Sequence, residues 1–335
     1  MIYDDDNEQM VARLAGHRVL VVGDMFLDEY LIGRAVRLSR EAPVPVLERT
    51  ESFALLGGAC NPAHNVATLG SRAAMAGVIG QDVAGQRLLA ALAAAGIDPA
   101  GVVVDAGRPT TTKTRLVAES ALRVPQHLAR IDAIERRPLD APVEAALLAR
   151  LEALAPQCDA ILVSHYCSGV VTPAVTAQVR HLARQHGLLT AADAQADLGR
   201  FAGFDLVKCN RAEAEAELGQ TLGGAADFEQ ALARLVPQLE VANLVVTRGS
   251  EGMSAIQRGH PAMHSPAVPV GDVYDVVGAG DTVVAVMTLA LAARLPLSRA
   301  AHLANAAASL VVRKLGNAVV RPGELAAALG VKREA

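Results

Sequence analysis

One short segment joins glycines to a carboxylate in an arrangement that suits phosphate chemistry. Residues 275–281 read DVVGAGD, and the apolar run that follows them, 283–293, predicts a helix. The GAG stretch can bring successive backbone N–H groups together at the positive end of this helix, where phosphate oxygens are stabilised. Asp281 could then accept a proton from a hydroxyl group beside the bound phosphate. Taken alone, the segment is equally compatible with a glycine turn and an aspartate that caps the helix.

Other polar residues and glycines also follow predicted strands. They are Asp24 and Asp28 after the first strand, Gly57 and Gly58 ahead of Asn61, the pair Asn210 and Glu213, and Thr247 with Gly249 and Gly252. Carboxylates accept hydrogen bonds from vicinal hydroxyls, so two aspartates near one opening suit a polyol ligand. Glycines allow the backbone to come close to a ligand. Each group is also compatible with a structural role as a helix cap, a turn or a surface ion pair.

The elements that must position these residues follow an alternating pattern. Short apolar runs alternate with Ala- and Leu-rich stretches, which is typical of a parallel sheet covered by helices. The predicted core strands are 18–23, 160–164, 188–193, 204–207 and 243–247. The predicted helices are 143–154, 174–186, 211–218, 228–236, 279–294 and 298–314. We therefore expect an α/β fold with its functional residues at the carboxyl ends of the strands.

Two segments break this pattern. Residues 41–56 and 110–131 are rich in Val, Thr and Leu, and no helix separates their predicted strands. They indicate an antiparallel patch outside the main sheet. With their flanking residues they predict a small β-sheet lid formed by about 29–56 and 108–131.

A series of motifs resembles the ribokinase family, also called the phosphofructokinase B family, over essentially the whole chain. They are VVGDMFLD (21–28), LGGACNPAHNVATLG (56–70), NRAE (210–213), TRGSEG (247–252), DVVGAGDT (275–282) and LANAAASL (303–310). Each motif alone is weak evidence of the family. The resemblance rests on the occurrence of all six in the same order as in the family. Within the family, residues 23–33, 39–46, 110–115 and 126–132 are most similar to kinases of D-glycero-β-D-manno-heptose 7-phosphate.

The resemblance implies a single three-layer α/β/α ribokinase-like domain over residues 1–335. It also implies ATP-dependent phosphorylation of the heptose 7-phosphate at its anomeric hydroxyl, giving a 1,7-bisphosphate for lipopolysaccharide core assembly. Some relatives carry a second, nucleotidyl-transferring domain, and this chain of 335 residues resembles the single-activity form. A kinase of another sugar phosphate, such as a hexose phosphate, and a non-catalytic sugar or nucleotide sensor are the alternatives. The intact Asp281 and GAG stretch argue against the sensor.

The resemblance also implies roles for the nucleotide-side residues. Asp281 is the expected catalytic base, and Gly278, Ala279 and Gly280 are expected to form the anion hole. Asn210 and Glu213 match an element that organises Mg²⁺ and its waters near the phosphates of ATP. The residues expected to bind the nucleotide also include Thr247, Gly249, Gly252 and Asn305. Asp275 lies where a K⁺-type ion occurs in several relatives, and the sequence leaves its use here open.

The sugar side is predicted in the same way. The expected sugar-binding residues are Asp24, Asp28, Gly57, Gly58 and Asn61, with Asp197 as a further candidate. Lys113, Arg115 and Arg130, in or beside the lid strands, could hold the substrate's own phosphate, and Lys113 and Arg130 are the two expected to do so. Many relatives have Asp-Pro-Lys where this chain has Asp193-Ala194-Gln195. Another residue must therefore make any phosphate contact that the lysine makes in those relatives. Lys208 could reach a phosphate, or could be a solvated lysine at a strand end.

The composition excludes several other classes of protein. Only 3% of residues are aromatic, Trp is absent and the net charge is −4, so we expect neither nucleic acid nor an acidic membrane as a partner. The 4 cysteines are widely spaced, which disfavours a zinc site or a disulfide framework. The acidic N-terminus lacks the features of a signal peptide, and we expect a soluble cytoplasmic protein. Lids in the family often pair two subunits, so a homodimer is also expected.

Overall fold

The chain forms two β-sheets of different size. In the computed structural model, which describes residues 4–120, 123–269, 273 and 275–330, the strands are β1 (Arg18–Gly23), β2 (Met25–Leu38), β3 (Pro45–Gly58), β4 (Arg72–Gly80), β5 (Asp98–Asp105), β6 (Thr111–Ser120), β7 (Arg123–Ala133), β8 (Ala160–His165), β9 (Leu189–Ala194), β10 (Leu206–Asn210), β11 (Asn243–Thr247), β12 (Met253–Gln257) and β13 (Met263–Ser265). The helices are α1 (Asp4–Ala12), α2 (Cys60–Thr68), α3 (Val83–Ala94), α4 (Ala141–Leu154), α5 (Pro173–His186), α6 (Arg211–Leu218), α7 (Ala225–Leu239), α8 (Ala279–Ala292), α9 (Leu297–Val311) and α10 (Pro322–Gly330). Within the described residues, none of these helices combines the length and apolar character that crossing a membrane requires.

The larger sheet is nine-stranded, in the order β13-β12-β11-β10-β9-β8-β1-β4-β5. The strands from β11 to β5 in this order run parallel. β12 and β13 are added antiparallel at one end. Apart from the partly exposed edge strand β5, the parallel strands are buried on both faces, which explains their largely apolar sequences.

Helices cover both faces of this sheet. Along β1, Val19 and Val21 face one hydrophobic cluster, and Leu20 and Val22 face the other, as the two-residue period of a strand requires. The first cluster is completed by α1, α2, α3, α8, α9 and α10, and the second by α4, α5, α6 and α7. This arrangement confirms the predicted three-layer α/β/α fold.

The smaller sheet has four strands in the order β3-β2-β6-β7 and coincides with the predicted lid. β2 begins at Met25 and β3 ends at Gly58, so the sheet extends further toward the body than predicted. The expectation of a purely antiparallel patch is wrong for one pair, because β2 and β6 run parallel. Between these two strands the chain passes through β3, α2, β4, α3 and β5, and a parallel pair requires such a long connection. Residues 121 and 122 of the predicted lid lie outside the described residues.

Candidate active site

Two adjoining cavities open at the carboxyl ends of the parallel strands. The first has a volume of about 370 Å³ and is lined largely by charged and polar side chains, among them Asp28, Lys113 and Asp281. The second has a volume of about 610 Å³ and is lined mainly by apolar groups. Thr247 and Gly280 line both cavities. A ligand with one polar and one apolar end could therefore cross from one cavity to the other beside Gly280.

Asp281 lies in the first turn of α8 and is only 4% exposed. Its Oδ1 accepts a hydrogen bond of 2.5 Å from the Tyr166 hydroxyl, and its Oδ2 accepts one of 2.9 Å from the Asn61 amide. Burial raises the pKa of Asp281 to about 7, and the Asp193 carboxylate acts in the same direction. The two hydrogen bonds and the charge of Lys208 oppose this rise. A carboxylate that titrates near neutrality is well suited to accept a proton.

A buried ion pair lies next to this carboxylate. Lys208 Nζ donates to both oxygens of Asp193, at 2.8 and 3.0 Å. The parallel register of β9 and β10 pairs these two residues directly. Burial alone would lower the pKa of Lys208, but the Asp193 carboxylate raises it and the net shift is upward. Lys208 is therefore a buried, charged lysine at the cavity wall rather than a solvated one.

The GAG stretch at the start of α8 has the geometry that the sequence predicts. Gly278 adopts a left-handed conformation with φ of 78°, which favours glycine. A Cβ atom on Gly278 would lie 2.6 Å from the Asn61 amide nitrogen, and one on Gly280 would lie 2.7 Å from Lys208 Nζ. The first helical turn thus brings its N–H groups, Asp281 and the Lys208 ammonium to one place. The role of Gly278, Ala279 and Gly280 as an anion hole stays a prediction.

Asp28 lines the first cavity, as expected of a sugar-binding residue. It is held by a hydrogen-bonded ion pair with Arg115, at 2.5 Å, and by a hydrogen bond from the Asn317 amide. Gly58 lines the same cavity, and Gly57 packs directly against the Asp28 carboxylate, where a side chain would collide with it. These contacts orient Asp28 at the junction of the lid and the body.

Three other predicted sugar-binding residues are not brought to the cavity. Asp24 is fully buried, and its carboxylate accepts backbone N–H bonds from the loop after β8. Asn61 is also fully buried, behind the Asp281 carboxylate. Asp197 is exposed and forms an ion pair with Arg200 at 2.9 Å. The first two side chains are held in position by internal hydrogen bonds, and the sugar-binding role of all three residues stays a prediction.

Lys113 and Arg130, the predicted phosphate-binding cations, both line the first cavity. Lys113 Nζ lies over the rings of Phe26 and Tyr166, at 4.1 and 5.3 Å from their centroids. Burial lowers the pKa of Lys113. Arg130 forms a two-pronged, largely exposed ion pair with Asp132. Both cations are thus on the lid side of the cavity.

The second cavity gathers the residues predicted to bind a nucleotide. Thr247, Gly249, Gly252 and Asn305 all line it, together with apolar residues of α8 and α9. The Asn305 amide donates a hydrogen bond of 2.6 Å to the Pro266 carbonyl oxygen, which holds the loop that covers the cavity. An apolar slot of this kind suits a flat heterocyclic base. The binding roles of these four residues stay predictions.

Asn210 and Glu213 form a reciprocal helix cap and also line the first cavity. The Glu213 carboxylate accepts hydrogen bonds from the backbone N–H and the side-chain amide of Asn210, at 2.5 and 2.7 Å. Burial raises the pKa of Glu213. Its oxygens retain lone pairs toward the cavity, which fits a hydrated Mg²⁺ held through water.

Asp275, the predicted monovalent-ion residue, stabilises two backbone segments. Its Oδ1 accepts a hydrogen bond from the Val277 N–H at 3.0 Å, and its Oδ2 accepts one from the Gly316 N–H at 2.9 Å. In the part of the chain that the structure describes, no cluster of three or more His, Cys, Asp or Glu residues could hold a metal ion. Asp275 therefore orients the GAG stretch, and its ion-binding role stays a prediction.

Sequence reasoning missed Tyr166 and Asn317. Tyr166 lies in the short loop after β8, in no recognisable motif, and reaches Asp281 only because the loop folds over it. Asn317 follows α9 and donates a hydrogen bond to Asp28, which lies near the other end of the sequence. The ion pair between Asp193 and Lys208 was also missed. It would follow from the pairing of β9 with β10, which places the two residues side by side.

Comparison with known proteins points to one family. Residues 17–322 match the pfkB family of carbohydrate kinases. The chain is 39% identical over 326 residues to the bifunctional protein HldE of Trichlorobacter lovleyi, covering 97% of this chain and 65% of that protein's length. Its fold is similar to that of Arabidopsis thaliana ribokinase, solved with ribose and ATP, with a TM-score of 0.72, 19% identity and coverage of 95% and 100% of the two chains. Its fold is also similar to that of Escherichia coli phosphofructokinase-2, solved with potassium, with a TM-score of 0.75 and 20% identity. This match covers 95% of this chain and 100% of that chain.

Removal of the Lys208 charge should strongly destabilise the fold. Lys208→Met leaves the Asp193 carboxylate buried without its cation, so we expect the free energy of unfolding to fall by about 3–5 kcal/mol. Urea unfolding at pH 7, followed by circular dichroism, measures this change. The matched control is the double variant Asp193→Asn/Lys208→Met, which removes both charges and should recover a large part of the loss. Equal losses in the single and the double variant would contradict this account.

Proposed function

Because the chain belongs to the pfkB family of carbohydrate kinases, we propose that it transfers the γ-phosphoryl group of ATP to the anomeric hydroxyl of D-glycero-β-D-manno-heptose 7-phosphate. The product is the 1,7-bisphosphate, a precursor for lipopolysaccharide core assembly, and the use of ATP assigns the reaction to the cytoplasm. One observation carries the proposal: the GAG stretch lies between a charged cavity and an apolar one, with Asp281 in the wall of the charged cavity. The similarity to HldE supports a kinase of this kind.

The geometry supports a direct transfer. With the sugar in the first cavity and the base of ATP in the second, the γ-phosphate lies beside Gly280, which with Thr247 lines both cavities. The oxygen of the attacking hydroxyl bonds to the γ-phosphorus while Asp281 accepts the hydroxyl proton. The bond between the γ-phosphorus and the ADP oxygen breaks in the same step. The N–H groups of the first α8 turn and the Lys208 ammonium stabilise the charge on the transferred group. Glu213 would hold a hydrated Mg²⁺ through water, and the ion would supply neutralisation of charge on the phosphates.

The first cavity suits a sugar that already carries a phosphate. Asp28 accepts hydrogen bonds from sugar hydroxyls near the body, and Lys113 and Arg130 face the cavity from the lid. In the described part of the chain, Lys113 forms no ion pair, although the Asp28 carboxylate opposes the lowering of its pKa by burial, and its ammonium lies over two aromatic rings. It is therefore the cation best able to bind a phosphate without first losing an ion pair. A kinase of a hexose phosphate would use the same arrangement, and a panel of acceptors separates the two.

Replacement of the base should abolish turnover while leaving the structure intact. We expect Asp281→Asn to lower kcat by about 10²- to 10⁴-fold, because the amide cannot accept the proton. A coupled assay of ADP release with heptose 7-phosphate and with hexose phosphates measures the rate. Calorimetry should show unchanged ATP binding, and Asp98→Asn, on an exposed strand, is the matched control. A near-normal rate in Asp281→Asn would remove the assignment of the base. Tight sugar binding by the wild type without any turnover would instead favour a sensor.

Loss of the Lys113 charge should weaken binding of the sugar phosphate selectively. Because the lost contact is a charged hydrogen bond, we expect Lys113→Ala to raise KM for the sugar phosphate roughly tenfold or more and leave KM for ATP unchanged. Steady-state kinetics with each substrate varied in turn measures both constants. Arg49→Ala, which removes an exposed lid cation outside both cavities, is the control. An unchanged KM for the sugar phosphate would exclude Lys113 from this role.

We also propose that the lid pairs two copies of the chain. Leu38 and Ile131 of the lid are 68% and 62% exposed, and the strands β3 and β7 are unpaired edges of a small sheet. We expect a homodimer in sedimentation velocity and a monomer for the double variant Leu38→Glu/Ile131→Glu. Val83→Glu, at an equally exposed position on α3 of the body, should stay dimeric. A wild-type chain that sediments as a monomer at micromolar concentration would overturn the proposal.

A further inference from the structure

We propose that Tyr166 is a positioning residue for the phosphoryl transfer, whose phenol holds the Asp281 carboxylate in the orientation and the ionised form that proton acceptance requires. The inference rests on the proposed function, which makes Asp281 the base. Its basis is the 2.5 Å hydrogen bond from the Tyr166 hydroxyl to Asp281 Oδ1. Asn61 holds the other oxygen at 2.9 Å, so the carboxylate is fixed from two sides. The remaining lone pairs of the two oxygens are left for the acceptor hydroxyl.

The position of Tyr166 is itself determined by the fold. Asp24, at the end of β1, accepts the Tyr166 backbone N–H at 2.6 Å, and it accepts the N–H groups of Ser168 and Val170 at 3.3 and 3.2 Å. Asp24 is fully buried, so these bonds form in a low-dielectric interior and are costly to break. These bonds hold the loop after β8 in the conformation in which the phenol contacts Asp281.

The ring of Tyr166 is fixed as well. It packs edge-on against Phe26, with the ring centroids 5.1 Å apart and an interplanar angle of 66°. Lys113 Nζ lies over both rings. Tyr166 therefore joins the two ends of the first cavity, since its hydroxyl contacts the base and its face contacts the cation proposed to bind the substrate's phosphate. A phenylalanine at this position would preserve the ring contacts and remove only the hydroxyl.

Charged and titratable groups surround Asp281 on several elements. Asp193 of β9 disfavours its ionised form, while Lys208 of β10 and the hydroxyl of Tyr166 favour it. Asp28 and Lys113 face the same cavity from the lid. Burial raises the pKa of Asp281 to about 7, and the hydrogen bond from Tyr166 opposes this rise by favouring the ionised form. Loss of that bond raises the pKa further, because a donor to the charged form is removed.

The kinetic test compares the wild type with Tyr166→Phe across a pH range. Because a hydrogen bond to a charged group is lost, we expect kcat at pH 7 to fall by about 10- to 100-fold. The acid limb of the kcat profile should move to higher pH by about one unit, with KM for ATP unchanged. The matched control is Tyr30→Phe, since the Tyr30 hydroxyl is buried in the lid without a hydrogen-bond partner among the described residues. A fall in kcat without movement of the acid limb would indicate a merely structural residue and overturn the proposal.

A direct titration decides the matter without turnover. In protein labelled with ¹³C at the aspartate carboxyl carbon, the Asp281 resonance is assigned by its loss in Asp281→Asn. We expect its titration midpoint to be higher in Tyr166→Phe than in the wild type and in Tyr30→Phe. Equal midpoints would overturn the inference. If no sugar is phosphorylated, the proposed function fails, yet this titration still tests the contact between Tyr166 and Asp281.

Discussion

The buried carboxylate of Asp281 is the constraint on which the rest of the site depends. A charge removed from water is unfavourable unless hydrogen bonds and opposite charges compensate for it. Here Tyr166 and Asn61 donate to the two oxygens, and the Lys208 ammonium lies nearby. Asp193 limits this compensation, so the balance leaves the group close to its titration point at neutral pH. A base for a sugar hydroxyl needs this intermediate state, since a fully stabilised carboxylate would be a weak proton acceptor.

Each compensating group comes from a different element, which explains why the fold must be complete before the site exists. Asn61 is at the start of α2, Tyr166 follows β8, and Lys208 is on β10. Asn65, one turn after Asn61, bonds to the Asn61 side chain and to the Thr282 hydroxyl, which ties α2 to the start of α8. The parallel sheet brings its carboxyl ends to one edge, and the two helices converge there. The position of the Asp281 carboxylate is therefore determined by the tertiary structure.

Local signals in the sequence predicted much of this framework, and long-range contacts account for what was missed. The bounds of β1, β11 and α6 agree with the predictions because these segments are apolar runs or a clearly capped helix. The strand β4 was missed because RAAMAGVIG is rich in Ala and Gly, which have weak strand preference. Local sequence signals could not identify Tyr166, because its contact with Asp281 depends on a loop that is held by the buried Asp24, which follows β1.

The pairing of the remaining cations determines how the first cavity can accept a phosphate. Arg115 forms a buried ion pair with Asp28. Breaking this pair would leave an unpaired charge in a low-dielectric interior. Arg130 pairs with Asp132 in a solvated position, where exchanging one anion for another costs little. Lys113 lies over aromatic rings, and burial already disfavours its charge. Under the proposed function, the phosphate of the substrate therefore stabilises the Lys113 charge first and recruits Arg130 second, while Arg115 continues to orient Asp28.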